Sequence, residues 1–237
     1  MSKVTFTERL RLAIRVFREP RRTHDRVFVQ EHPSLERVER VDELIQLSKG
    51  RQVLHFGFLD SPFLAEKHKS GDMLHERLKV EAASAFGVDI NEKDLDTYRR
   101  LSGDTANCIL DISSPDAAVP LLDQVSFDVI LFPEVLEHIP DPGQALRNLK
   151  KLCVAHGAKL VLTVPNAFNF NFFVEACSGR EIVHPDHLFY FSPSTLEKLV
   201  STSGFRVLSM KQYGPKGAPR EPGITEAGLV CVCEAAV

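Results

Sequence analysis

Three features of the 237-residue sequence predict an α/β fold: a seven-stranded, mostly parallel sheet with helices on both faces and a C-terminal antiparallel hairpin. Short apolar runs recur along the chain, and stretches of helical period separate most of them. The last two runs are joined only by a loop rich in Gly and Pro, which leaves no room for a helix of ordinary length. Strand–helix alternation of this kind buries a parallel sheet between two helical layers.

In chain order, Phe6, Leu10, Ile14 and Phe17 repeat at helical spacing, with arginines between them. This predicts an amphipathic helix that stops before Pro20, inside an N-terminal helical extension over residues 1–33. The arginines continue through Arg21, Arg22 and Arg26, as a solvated face or as a clamp on an anionic substrate. Residues 34–237 form the α/β domain. Ser34 is placed to cap a helix that runs to about Leu47. Strands are predicted over 53–56, 85–90, 106–110, 127–132, 159–164, 205–211 and 228–233, the last two forming a hairpin at one sheet edge.

Composition bounds the class. With 43% hydrophobic and 26% charged residues, the chain is long and apolar enough for one substantial core. A net charge of -3 gives no electrostatic footprint for nucleic acid, so no nucleic-acid partner is expected. Arg9, Arg11, Arg15 and Arg18 interrupt the apolar residues near the N-terminus, and no later stretch is long enough to cross a bilayer. A soluble, cytoplasmic protein with no membrane partner is expected. Cys108, Cys153, Cys177, Cys231 and Cys233 form no C-x-x-C pair, which argues against a redox or structural metal framework. Cys231 and Cys233 alternate onto one strand face as buried thiols.

In an open parallel sheet, ligands bind beyond the carboxyl ends of the strands. The first such loop reads His55-Phe56-Gly57-Phe58-Leu59-Asp60-Ser61-Pro62, where Gly57 allows backbone to approach a ligand closely. Asp89, beside Ile90, ends the second strand, where its carboxylate can accept from both hydroxyls of a ribose. Asp111 and Ile112 follow the third, an acid and an apolar group suited to the amino group and ring face of adenine. The G-x-G-x-x-G turn of nicotinamide-binding sheets is absent.

The segment 127–130 runs into Glu134-Val135-Leu136-Glu137-His138-Ile139-Pro140-Asp141-Pro142. Leu162-Thr163-Val164-Pro165-Asn166, His187-Leu188-Phe189-Tyr190-Phe191-Ser192 and, after a helix from Ser194, Ser203-Gly204-Phe205 follow in that order. Over roughly residues 50–210 this series resembles the class I S-adenosylmethionine-dependent methyltransferases, specifically the small-molecule group related to the ubiquinone-pathway O-methyltransferases. The resemblance implies a Rossmann-like sheet, S-adenosylmethionine as cofactor and a small-molecule acceptor. It places Gly57, Phe58, Asp60, Asp89, Ile90, Asp111 and Ile112 around the cofactor, with Phe132 and Pro133 flanking its methyl end.

The first loop departs from the family pattern of an acidic residue followed by three alternate glycines: here those positions hold His55, Gly57, Leu59 and Ser61. Leu59 and Ser61 are expected to narrow the space beneath the cofactor's amino acid portion, and Asp60 to take over contacts to its amino group. The altered loop also supports a second reading, a catalytically silent methyltransferase-like domain that binds cofactor or a partner. A base-modifying enzyme is disfavoured, because Phe132-Pro133-Glu134 stands where many such relatives carry an N-P-P-Y-type tetrad.

Glu134, Glu137 and His138 match the E-x-x-E-H spacing of the ubiquinone-pathway enzymes, in which such a group can bind a divalent cation. No metal is assigned here. His138 acting as general base and the group acting as a loop brace are the other readings. His138, His187 and Glu137 are the catalytic candidates, acting on an oxygen of a small metabolite, sugar or glycan precursor. Phe168, Phe170, Phe172 and Phe173 fit a lid helix's packing or an apolar acceptor wall.

Overall fold

The computed structural model describes residues 34–115, 117, 122, 124–214 and 227–236, with positions 7 and 11. The amphipathic helix expected over residues 6–18 and most of the 213–228 loop lie outside the described residues.

Among the described residues eight strands form one sheet: β1 (Arg37–Val38), β2 (Gln52–Phe56), β3 (Ser84–Asp89), β4 (Asn107–Ile109), β5 (Val129–Pro133), β6 (Lys159–Pro165), β7 (Phe205–Tyr213) and β8 (Gly228–Ala235). Their order is β1-β7-β8-β6-β5-β2-β3-β4, and only β8 runs antiparallel to its neighbours. Among the described residues seven α-helices accompany them: α1 (Arg40–Ser48), α2 (Leu64–Ser70), α3 (Leu74–Glu81), α4 (Glu92–Ser102), α5 (Pro142–His156), α6 (Phe170–Cys177) and α7 (Pro193–Thr202).

The two layers follow from strand alternation. Leu54, Phe56, Ile130, Phe132, Leu160 and Leu162 point to the face covered by α5 and α7, where they meet Leu146, Leu149, Leu152, Leu196 and Val200. Val53, Val129, Leu131, Val161, Val230 and Val232 point to the other face, against Leu44 of α1 and Leu78 of α3. A third cluster, Phe58, Leu59, Leu64, Met73, Leu95 and Tyr98, fills the space beneath the first loop. Asp141 caps α5 through Gln144 N–H, with Pro142 in the first turn, so this helix starts directly behind the loop that ends β5.

The α/β class and the antiparallel pair β7–β8 are as the sequence predicts, with two local differences. The helix starts at Arg40 rather than beside Ser34, because Arg37 and Val38 pair with Gln212 and Tyr213 to cover the edge of β7. The hairpin is therefore internal: β8 inserts between β6 and β7, and β1 forms the edge. Cys231 and Cys233 are buried on one face of β8, 3.4 Å apart at sulfur, as free thiols. Among the described residues no helix is long and apolar enough to cross a membrane.

Candidate active site

Two cavities meet beyond the carboxyl ends of β2, β3 and β5. The first, about 390 Å³, is lined by Gly57, Val88, Asp89, Ile90, Leu110, Asp111, Ile112, Ser113, Val135, His138 and Ile139. The second, about 490 Å³, takes in Arg40, His55, Asp60, Ser61, Lys67, Pro133, Glu134 and Asp186. They share Gly57, Asp89, Ile90, Val135 and His138, so this seam is the junction of two compartments.

Gly57 lies at φ +67°, in the left-handed region, and a Cβ there would stand 2.5 Å from Val135 Cγ2. Both constraints demand glycine. Asp89 is held by three backbone donors: its Oδ1 accepts from Ile90 (2.8 Å) and Asn91 (3.0 Å), its Oδ2 from Leu59 (3.2 Å). Of the four or so lone-pair positions of a carboxylate, spare capacity remains on Oδ2. Burial raises its pKa above the usual carboxylate range, and these three bonds oppose that rise. Asp111 Oδ1 accepts from the Ser113 N–H (2.8 Å) and hydroxyl (2.6 Å), which fixes the acid at the rim.

The structure redistributes the residues of the first loop. Leu59 does not narrow either cavity: it is fully buried in the satellite cluster. Ser61 stays on the rim of the second cavity, its hydroxyl bonded to Asp94. Phe58, expected around the cofactor, points into the satellite cluster and lines neither cavity; its ring rests on Gly87, where a Cβ would come within 2.7 Å. Phe132, expected at the methyl end, is buried in the main core on the α5 side, and only Pro133 reaches the second cavity. Asp60 does reach it, in a left-handed turn (φ +53°) and paired with Lys67. His55, at the family's acidic position, is buried and faces His75 of α3, their Nδ1 atoms 3.3 Å apart. Burial and the mutual repulsion of two cations hold the pKa of His55 well below 6.5. Burial likewise lowers that of His75, to about 4.

The catalytic candidates converge. Donor atoms of Glu137, His138 and His187 lie within 4.8 Å of one another. His138 comes from the turn after β5, and its Nδ1 is 3.0 Å from the Asp186 carbonyl. His187 stacks on His184, with ring centroids 4.2 Å apart, and meets His138 edge-on at 4.7 Å. The Glu137 side chain is 0% exposed, and neither of its oxygens has a hydrogen-bond partner among the described residues. His187 Nε2 is 4.0 Å from it. Burial, helped by the Glu134 charge, raises the Glu137 carboxyl to about 8, whereas burial and the neighbouring imidazoles lower His187. Both shifts favour the uncharged form of each group.

Sequence reasoning missed Arg40 and Tyr213. Glu134 accepts from Tyr213 Oη (2.6 Å) and Thr163 Oγ1 (2.7 Å), and its backbone takes φ +52°. Arg40 lies 3.9 Å from the same carboxylate and over the Tyr213 ring. These residues stand far apart in sequence, and no local motif marks them. The phenylalanines of α6 do not pack a core: no residue of that helix is buried. Phe168, Phe170, Phe172 and Phe173 line an open apolar groove of about 920 Å³ with Tyr190, whose ring also touches His187.

A methyltransferase-domain family model matches residues 27–210. The ubiquinone biosynthesis O-methyltransferase of Coxiella burnetii (strain RSA 493 / Nine Mile phase I) is 26% identical over 181 residues, covering 73% of this chain and 71% of that protein. That of Vibrio cholerae serotype O1 (strain M66-2) is 29% identical over 137 residues, 55% of each chain. Among solved structures, the fold matches magnesium protoporphyrin IX methyltransferase from Synechocystis PCC 6803 with a TM-score of 0.53 at 13% identity, over 84% of this chain and 82% of that one. The small RNA methyltransferase HEN1 matches with a TM-score of 0.55 at 19% identity, over 86% of this chain and 27% of that one. The chain belongs to the methyltransferase-domain family. It is a class I S-adenosylmethionine-dependent methyltransferase.

Proposed function

We propose that the protein transfers a methyl group from S-adenosylmethionine to an oxygen of a small metabolite, sugar or glycan precursor. The observation that carries this reading is the seam: an acid-rimmed apolar cavity opens at His138 into a second one, beside a buried Glu137 and His187.

The first cavity fits the adenosine portion. Val88, Leu110, Ile112 and Ile139 supply apolar walls, Asp111 an acceptor for the amino group, and Asp89 Oδ2 an acceptor for a ribose hydroxyl. The methionyl portion belongs in the second cavity. Gly57 lets backbone come close there, Asp60 accepts from the ammonium, and the Arg40 guanidinium is placed for the carboxylate. When bound, the cofactor supplies an activated methyl on a positively charged sulfur. The residues of the chain need only align the acceptor oxygen and take its proton. His187 or His138 accepts that proton, with the Glu137 carboxyl 4.0 Å from His187 Nε2. The aromatic groove of α6 and Tyr190 gives the acceptor an apolar wall to lie against.

The same cluster favours a second reading of its chemistry. Glu137, whose two oxygens have no hydrogen-bond partner among the described residues, stands next to two imidazoles, and a divalent cation that displaces any carboxyl proton could be held by Glu137, His138 and His187. Such an ion would act as a Lewis acid toward the acceptor oxygen.

The test is S-adenosylhomocysteine production from S-adenosylmethionine with a panel of hydroxylated acceptors, with and without chelator. Turnover that survives chelation and is lost in His187→Gln supports proton acceptance by the imidazole. Turnover restored only by added magnesium or manganese supports the cation. No turnover by a cofactor-saturated protein with any hydroxylated acceptor counts against an oxygen acceptor.

A further inference from the structure

The loop over residues 110–115 carries Asp111 and Ile112 but contains no helix or strand, so its shape must be imposed from outside. Asn148, in the middle of α5, imposes it. Its side chain is 0% exposed, an unusual place for an amide. Nδ2 donates to the Ile112 carbonyl (2.9 Å) and to the Ser114 carbonyl (2.9 Å), using both of its hydrogens. Oδ1 accepts from Gln144 Nε2 (3.3 Å) and Lys151 Nζ (3.0 Å), so the amide is saturated and its orientation fixed. The two captured carbonyls flank Ser113. Ser113, in turn, donates its N–H and its hydroxyl to Asp111 Oδ1. Asn148 thus fixes Ser113, and Ser113 fixes the carboxylate, whose Oδ2 has no partner among the described residues and is left for a ligand.

We propose that Asn148 is a positioning residue for base recognition: by holding the 112–114 backbone it aims Asp111 at the 6-amino group of adenine and sets the preference for an adenosine cofactor. The proposal rests on the reading of the first cavity given above. A carboxylate held rigidly accepts from an amino group and repels a 6-oxo group, so the discrimination depends on how firmly it is held. Removing the amide leaves two inward-facing carbonyls without donors, and the loop must shift to hydrate them.

The experiment is calorimetric titration of the full chain with S-adenosylhomocysteine and with its 6-oxo counterpart, S-inosylhomocysteine. Wild type should prefer the adenine form. Asn148→Leu should lower that preference about tenfold, the scale of one charge-assisted hydrogen bond. Ser113→Ala, which removes only the hydroxyl bonded to Asp111 Oδ1, should lower it in the same direction. Leu149→Ala, which damages the same helix but removes neither hydrogen bond to the loop carbonyls, should keep the wild-type ratio despite a lower melting temperature. An unchanged ratio in Ser113→Ala and in folded Asn148→Leu would overturn the proposal, as would an equal loss in Leu149→Ala. If Asp111→Ala also keeps the wild-type ratio, the fault lies in the reading of the cavity and the proposal falls with it.

Discussion

The buried imidazole pair His55–His75 makes stability depend on pH in a way the fold quantifies. Both rings are enclosed, with Arg40 near His55 and Glu76, Lys79 and Asp104 near His75. Desolvation dominates, and the pKa of His75 falls from 6.5 to about 4. A histidine depressed in the folded state leaves stability intact above pH 6.5, and that stability drains away as pH falls from 6.5 through 4, because the unfolded chain binds the proton first. At about 1.4 kcal/mol per pH unit, His75 alone accounts for about 3 kcal/mol by pH 4, of which about 2 kcal/mol is lost between pH 7 and pH 5. His55 adds to the loss in the same direction. Urea unfolding at pH 7 and pH 5, for wild type and His75→Gln, measures this. The variant should lose about 2 kcal/mol less than wild type on acidification. Parallel losses in the two proteins would refute the claim that His75 is buried neutral.

Three further outcomes follow from the site. Gly57→Ala places a Cβ against Val135 in a left-handed backbone; it should destabilise by about 1–3 kcal/mol in urea and weaken S-adenosylhomocysteine binding. Unaltered stability and binding would place the loop elsewhere. Arg40→Ala should weaken S-adenosylhomocysteine about tenfold in calorimetry while leaving adenosine, which has no carboxylate, unaffected. Equal losses for both ligands would argue for a structural role through Glu134. With an identified acceptor, His187→Gln should lower kcat by about 10²–10⁴-fold with S-adenosylhomocysteine affinity unchanged, and a small change in kcat would remove it from the chemistry.

Much of this fold is legible in the sequence because burial on both faces writes short continuous apolar runs, and the seven predicted strands stand within a few residues of the observed ones. The two-residue β1 is too short to leave a periodic signal and exists only because β7 offers it an edge. The positions of Asp89, Asp111 and Gly57 on the wall of the first cavity are readable because strand ends have fixed places in this architecture. Phe58 and Phe132 were misplaced for different reasons. Phe132 follows ordinary alternation onto the α5 face. Phe58 follows Gly57, whose left-handed backbone swings the next ring down onto Gly87. A glycine inside β3 was itself a signal of close approach. Arg40 and Asn148 act across 94 and 34–36 residues on Glu134 and the 112–114 loop, distances over which one sequence carries no pattern.

On this reading the cavity bounded by Gly57, Asp89 and Asp111 holds S-adenosylmethionine despite Leu59 and Ser61 in the first loop. Calorimetric titration with S-adenosylmethionine and S-adenosylhomocysteine, with Asp89→Ala alongside, tests it most directly. Saturable one-to-one binding that the variant loses while remaining folded is the predicted result. A folded wild-type protein that binds neither ligand would contradict the account and make the chain a silent relative of its family.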